Sequence, residues 1–107
     1  MSMASAGNQR GWRIGRERSQ IALEVVLLDR MYVLPWAQFL YAEGGDDEVR
    51  LVFATHDVLA RGAGLQALLA DLAAQRLVGI DAPARPDRFG GASGRGVCEL
   101  FVQKVDS

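Results

Sequence analysis

The hydrophobic period of this sequence changes once, and the change restricts the chain to folds in which short strands precede a single helix. Residues 48–54, EVRLVFA, alternate apolar and polar side chains with the period of a half-buried strand. Beyond Gly64, leucines instead follow the spacing i, i+3, i+4, i+7 of an amphipathic helix. They are Leu65, Leu68, Leu69 and Leu72. We therefore predict one amphipathic helix, at about residues 64–76.

The segments on both sides of that helix favour short strands joined by tight turns. Residues 20–28 (QIALEVVLL) and 97–105 (VCELFVQKV) have the β-branched or alternating composition of strands. Pro35 cannot donate to a strand ladder and marks a break, and GGDD at 44–47 is typical of a hairpin turn. Because hairpins pair strands antiparallel, we predict an α+β fold, with a mainly antiparallel sheet of about five to seven short strands and the one helix.

The chain has the length of one domain, at 107 residues. Residues 1–11 are small and polar and predict a flexible N-terminal arm, which leaves residues 12–107 as a single α+β domain. Residues 81–96 contain two prolines and four glycines, a composition that predicts a mobile loop within that domain.

The balance of charge and hydropathy argues against several classes of partner. Twelve basic and thirteen acidic side chains give a net charge of −1, so the chain as a whole has no attraction for nucleic acid or an anionic membrane. No apolar run approaches the roughly 18–20 residues of a membrane span, and the first residues lack the apolar stretch of a signal peptide. We expect a soluble cytoplasmic protein that does not contact a membrane.

Neither a metal site nor a cofactor motif is evident in the sequence. The single cysteine, Cys98, can form no disulfide within the chain, and we expect it to be buried with Leu100 on the apolar face of the last strand. The glycine-rich residues 90–96 lack the lysine and the following helix of a phosphate-binding loop. We therefore expect neither a metal nor a cofactor.

The one histidine lies beside an aspartate, a pair that is found in many catalytic sites. His56 and Asp57 are adjacent, however, and adjacent residues of a strand point to opposite faces of the sheet. We interpret THD at 55–57 as a turn, in which Asp57 accepts a backbone hydrogen bond. The alternative is a small-molecule site or an enzyme active site near His56, with Arg61 and Glu43 as polar partners.

Basic and aromatic residues concentrate near the N-terminus. The arginines of this stretch are Arg10, Arg13, Arg16 and Arg18. Together with Trp12 they favour a protein interface, because Trp and Arg are preferred anchors of such interfaces. A further alternative is that the arm binds nucleic acid, although the negative charge of the rest of the chain argues against it.

The function that follows from these observations is binding or assembly without catalysis. Trp12 and Trp36, with the aromatic residues near them, supply more apolar surface than one short helix covers, and surplus of this kind marks protein contacts. A two-fold dimer is the simplest closed assembly. We therefore predict a homodimer, with Trp12, Arg13 and Trp36 at its interface, whose ligand the sequence does not specify.

Overall fold

A computed structural model describes residues 11–15, 21–83 and 96–105 of the chain. In these residues the chain forms eight strands and one α-helix. They are β1 (Trp12–Ile14), β2 (Ala22–Val26), β3 (Met31–Pro35), β4 (Phe39–Gly44), β5 (Glu48–Phe53), β6 (His56–Ala63), α1 (Gln66–Ala73), β7 (Leu77–Asp81) and β8 (Gly96–Lys104). A short 3-10 turn, Trp36–Gln38, joins β3 to β4.

The strands form two sheets of four strands each. The first sheet has the order β1-β7-β2-β3 and the second has the order β4-β5-β6-β8. Strands β2 and β7 run parallel, and the other paired strands run antiparallel. The predicted α+β, mainly antiparallel fold is confirmed at this level. The prediction of a single sheet with about five to seven strands is wrong, because the chain crosses to a second sheet at Pro35 and adds strands on both.

One hydrophobic cluster joins both sheets and the helix. The first sheet contributes Leu23 and Val25, the second contributes Leu51 and Phe53, and the helix contributes Leu68. On β2 and β5 the buried residues alternate with more exposed ones, as expected where one face of each sheet packs against the core. The core therefore lies between the two sheets.

The helix is shorter than the predicted range of about 64–76 and extends from Gln66 to Ala73. Leu65 and Leu68 of the predicted stripe are fully buried, whereas Leu69 and Leu72 are partly buried against the same core. The helix ends early because Gln75 adopts a positive φ of 63°, which stops α-helical hydrogen bonding.

Cys98 is exposed, which contradicts the expectation that it is a core residue. Arg61 pairs with Glu99 and the next residue, Gly62, pairs with Val97, so Cys98 is an extra residue in β8. This β-bulge interrupts the alternation of side chains along the strand. Val97 and Leu100 are consequently the buried residues of β8, and Cys98 points away from the core.

Two predicted segments lie mostly outside the described residues. Residues 1–10 of the predicted N-terminal arm and residues 84–95 of the predicted loop are not among them. At the borders of the loop, Asp81 ends β7 and Gly96 begins β8. The one helix of the described chain, α1, is too short to cross a membrane.

Removal of the Leu68 side chain tests the packing of α1. We expect Leu68→Ala to lower the free energy of unfolding by about 2–5 kcal/mol, the usual cost of truncating a fully buried leucine. Leu28→Ala is the matched control, since Leu28 is 69% exposed, and we expect it to change stability little. Urea denaturation of the two variants makes the comparison, and equal effects would contradict the packing described here.

Candidate binding site

A pocket of about 550 Å³ opens between the second sheet and the C-terminal end of α1. Its sheet side is formed by Trp36, Phe39 and Ala42. Its helix side is formed by Leu72 and Ala73, together with Gln75 and Leu77 where the chain leaves the helix and enters β7. The lining is largely apolar and aromatic, and none of these residues is charged. Such a lining is typical of a site that takes an apolar group of a ligand.

The position of Trp36 follows from the proline before it. Pro35 has φ −62° and ψ 134° and directs the chain out of β3 into the 3-10 turn. The Trp36 backbone N–H then donates to the carbonyl oxygen of Ile21 at 3.0 Å. The turn that joins the two sheets therefore fixes the backbone that carries the Trp36 ring.

Aromatic contacts hold that ring against the second sheet. The centroid of the Trp36 ring lies 5.3 Å from that of Phe39, in an edge-to-face arrangement, and 5.7 Å from that of Phe53. Phe39 and Phe53 also meet edge to face at 5.3 Å. Pairs with this geometry stabilise beyond their buried area. One wall of the pocket is therefore a preformed aromatic surface, only partly buried at Trp36 and Phe39.

Gln75 is the strained residue of the pocket. Its backbone N–H donates to the carbonyl oxygen of Leu72 at 2.9 Å, and that of Arg76 donates to Asp71 at 2.9 Å, which together form a Schellman motif. The residue at this position needs a positive φ, for which glycine is the usual choice. A glutamine here costs about 1–2 kcal/mol relative to a favoured conformation, and strain of this kind clusters at functional sites.

His56 lies on the inner face of the second sheet, at the same end as Phe39 but two strands away from it, because Phe39 pairs with Phe53 and the neighbouring Val52 pairs with Asp57. It is the first residue of β6, so the predicted turn at residues 55–57 is wrong: the chain bends at Ala54 and Thr55, and both His56 and Asp57 belong to the strand. The centroid of the His56 ring lies 5.4 Å from that of Tyr32. Its Nδ1 is 2.8 Å from the hydroxyl oxygen of Thr55. The inner-face alternation of β6 places His56 with the buried Val58, whereas Asp57 belongs to the opposite face.

Arg61 and Glu43 lie on the outer face of the second sheet, away from His56. Arg61 contacts Glu48 at 3.4 Å and Glu99 at 3.9 Å. Glu43 pairs across the strands with Arg50, on β5. Arg61 is five positions along β6 from His56, a separation of about 16 Å on the opposite face. The structure therefore does not bring the three predicted site residues together.

The aspartate next to His56 belongs to this outer, charged face. Asp57 Oδ2 accepts a hydrogen bond from Arg50 Nη2 at 2.6 Å, and this bond raises the pKa of the Arg50 guanidinium. Asp57 Oδ1 is buried and accepts no hydrogen bond from the described residues. The pair holds two neighbouring strands together, and Asp57 is directed to Arg50 rather than to His56.

Of the predicted interface residues, Trp12 and Arg13 are used within the chain. Trp12 is 2% exposed, and its indole Nε1 donates to Asp71 Oδ2 at 2.9 Å. Arg13 donates from Nε and Nη2 to both oxygens of Asp81, at 2.9 and 3.0 Å, and from Nη1 to Glu24 at 3.0 Å. The hydrogen bond to Asp81 is the largest cause of the raised pKa of Arg13. Trp36 is the predicted interface residue that reaches the pocket.

The Arg13 side chain crosses the outer face of the first sheet. It extends from β1 over Gly79 of β7 to Glu24 of β2, and a Cβ at Gly79 would collide with its guanidinium. A side chain at residue 79 would therefore displace the guanidinium from this position. The cationic side chain therefore ties three strands together. The other arginines of the N-terminal stretch, Arg10, Arg16 and Arg18, lie outside the described residues.

Most of the pocket was not predicted from the sequence. Phe39 and Leu72 resemble ordinary core residues in a sequence pattern, since aromatic and leucine residues fill most cores. Gln75 carried no signal either, because glycine is the usual residue at a position with positive φ and the sequence has a glutamine there. Comparisons with protein-family models, with curated proteins and with solved structures find no match to this chain.

Substitution of Arg13 tests its role between the strands. We expect Arg13→Gln to lower the free energy of unfolding by about 1 kcal/mol, because two carboxylates lose a partly buried, bidentate partner. The effect should shrink as salt is added, since salt screens the lost attraction. Arg30→Gln is the control, because Arg30 is exposed, and we expect no measurable change. Equal stabilities of Arg13→Gln and the parent chain would show that the cluster is only a surface feature.

Proposed function

We propose that this chain is a non-catalytic binding domain that takes an apolar group of its ligand into the pocket beside Trp36. The observation that carries the proposal is the strained glutamine at the rim. A positive φ at Gln75 costs stability that a glycine would recover, and Gln75 is one of the residues that line the pocket. The amide of Gln75 would offset this cost in the bound state if it hydrogen-bonds the ligand.

The chemistry of the lining supports binding over catalysis. None of the described residues that line the pocket carries a carboxylate, an imidazole, a thiol or a hydroxyl group. General acid–base and nucleophilic catalysis depend on such groups within hydrogen-bond reach of the substrate. The aromatic wall and the amide of Gln75 instead match a flat or branched apolar group that carries one polar atom.

We also propose that the chain forms a homodimer, through the edge of the first sheet at β3. The Leu27 N–H donates to the Arg30 carbonyl oxygen and the Trp36 N–H to that of Ile21. Between these two bonds, residues of β3 alternate between hydrogen-bonding to β2 and pointing their backbone groups away from it. The backbone N–H and C=O groups of Met31 and Val33 therefore point outward, away from β2. The side chains of these two residues are 52% and 56% exposed.

The sequence of β3 suits pairing with itself. In an antiparallel pair about a two-fold axis at Val33, each Val33 would face its equivalent and each Met31 would face Pro35. The missing N–H of Pro35 then falls at the end of the pair, where it leaves the two central hydrogen bonds intact. No charged residue lies within Met31–Pro35 to oppose this contact.

Fragment binding tests the pocket. We expect indole and other small aromatic or branched aliphatic fragments to shift the amide NMR signals of Ala42, Ala73 and Gln75, and Trp36→Ala to weaken this binding tenfold or more. Gln75→Gly should raise the free energy of unfolding by about 1 kcal/mol. The same substitution should weaken the binding of fragments that carry a hydrogen-bonding group. Shifts confined to His56 and its neighbours would instead favour the alternative site, and an absence of shifts at millimolar fragment would contradict both.

The mass in solution tests the dimer. Sedimentation at micromolar concentration should give twice the chain mass for the parent protein and the monomer mass for Val33→Lys, because a lysine on an edge strand opposes edge-to-edge pairing. Leu40→Lys introduces the same charge at a 61% exposed leucine of the second sheet and should leave the dimer intact. A monomeric parent protein, or a Val33→Lys variant that stays dimeric, sinks this proposal.

A further inference from the structure

The pocket lies beside a strand edge that offers free backbone groups. Among the described residues, β4 is the outermost strand of its sheet and pairs only with β5. The Gly45 N–H donates to the Glu48 carbonyl oxygen at 2.8 Å, which sets the alternation along the hairpin. Glu43 and Tyr41 therefore direct their backbone groups to β5, and Ala42 and Gly44 direct theirs to the open side.

Ala42 combines the two features that a peptide-binding edge needs. Its backbone N–H and C=O point to the open side of β4, and its side chain lines the pocket. A strand that paired with this edge would direct every second side chain to the same face of the sheet as Ala42, and the β-bulge at Leu40 ends the regular edge before Phe39. One of those side chains would enter the space between Trp36 and the end of α1. Main-chain pairing with one side-chain pocket is a common mode of peptide recognition.

We propose that the ligand of the pocket is an extended peptide segment of another protein, which adds to the β4 edge and inserts one large apolar side chain beside Trp36. The proposal rests on the function proposed for the pocket. It also specifies the chemistry of the partner. The partner needs an extended backbone that is free to pair and an apolar side chain the size of Leu, Phe or Trp. A pocket of about 550 Å³ has room for such a side chain with part of its backbone.

The charges along β4 indicate where basic residues of the peptide would lie relative to its apolar anchor. Beyond Gly44 the hairpin carries exposed Asp46 and Asp47, with the exposed Glu43 just before it. At the other end of the strand, Leu40 is 61% exposed and Tyr41 is 50% exposed. Basic residues of the peptide therefore fit the end near Gly44, about two or three positions from the apolar anchor at about 3.3 Å per residue.

This charge pattern also decides against a second copy of the chain as the occupant. The edge of a second copy, Phe39–Gly44, contains Glu43 and no basic residue, so it would bring acid to acid or leave the hairpin acids unmatched. A basic, apolar peptide complements both parts of the surface. The β3 edge, in the other sheet, remains available for the dimer.

Synthetic peptides of nine residues test the proposal. Each carries a central Trp, Phe or Leu with a Lys-Arg pair on either its N-terminal or its C-terminal side, and the matched control has a central Ala. We expect the peptides with the Lys-Arg pair on one of the two sides to bind. The Ala control should bind at least about tenfold more weakly, and added salt should weaken the binding. The double variant Glu43→Gln, Asp47→Asn should bind the peptide several-fold more weakly and leave indole binding unchanged. Trp36→Ala should weaken both.

Hydrogen exchange at the strand edge provides the decisive measurement. A peptide that pairs with β4 should slow the exchange of the amides of Ala42 and Gly44, whereas indole in the pocket should not. If indole binds but no peptide protects these amides, the peptide proposal is overturned and the pocket remains a small-molecule site. If neither indole nor peptide binds, the function proposed for the pocket fails as well. Protection by the parent chain itself at high concentration would instead identify a second copy as the occupant.

Discussion

Pro35 ends β3 and turns the chain from the first sheet into the second, and both the core and the pocket depend on this turn. The Trp36 N–H is bonded to Ile21 of the first sheet, while the Trp36 ring packs on Phe39 and Phe53 of the second. The turn thus joins the sheets through the backbone on one side and through aromatic contacts on the other. The hydrophobic faces of β2 and β5 enclose one common core.

If the pocket has the proposed binding role, stability and function make opposite demands on the residue that ends α1. The Schellman hydrogen bonds from Gln75 and Arg76 terminate the helix at the mouth of the pocket, so the geometry needs a left-handed residue there. Glycine satisfies that geometry at lower cost, but it would remove the amide from the lining. A binding role for the pocket gives the strained residue a physical reason, in the way that strain elsewhere is retained at ligand sites.

The two proposed contacts use different edges because the edges differ chemically. The open side of β3 is apolar, and Pro35 limits the pairing to a short central segment. The open side of β4 lies beside a pocket and leads to the acidic hairpin at Asp46 and Asp47. A strand edge without such differences would pair with any exposed strand. The charge and shape of each edge therefore favour one partner over others.

The sequence by itself determined the local structure of this protein. The leucine spacing predicted the burial of Leu65 and Leu68, and GGDD predicted the β4–β5 hairpin. Both predictions were possible because each signal acts over a few neighbouring residues. Only the tertiary structure decided that there are two sheets, that a bulge exposes Cys98, and that Trp36 meets the end of the helix. It also separated His56 from Arg61 and enclosed Trp12. These outcomes depend on which strands pair and in which register, and strand pairing joins residues far apart in the chain whose local sequence does not name their partners.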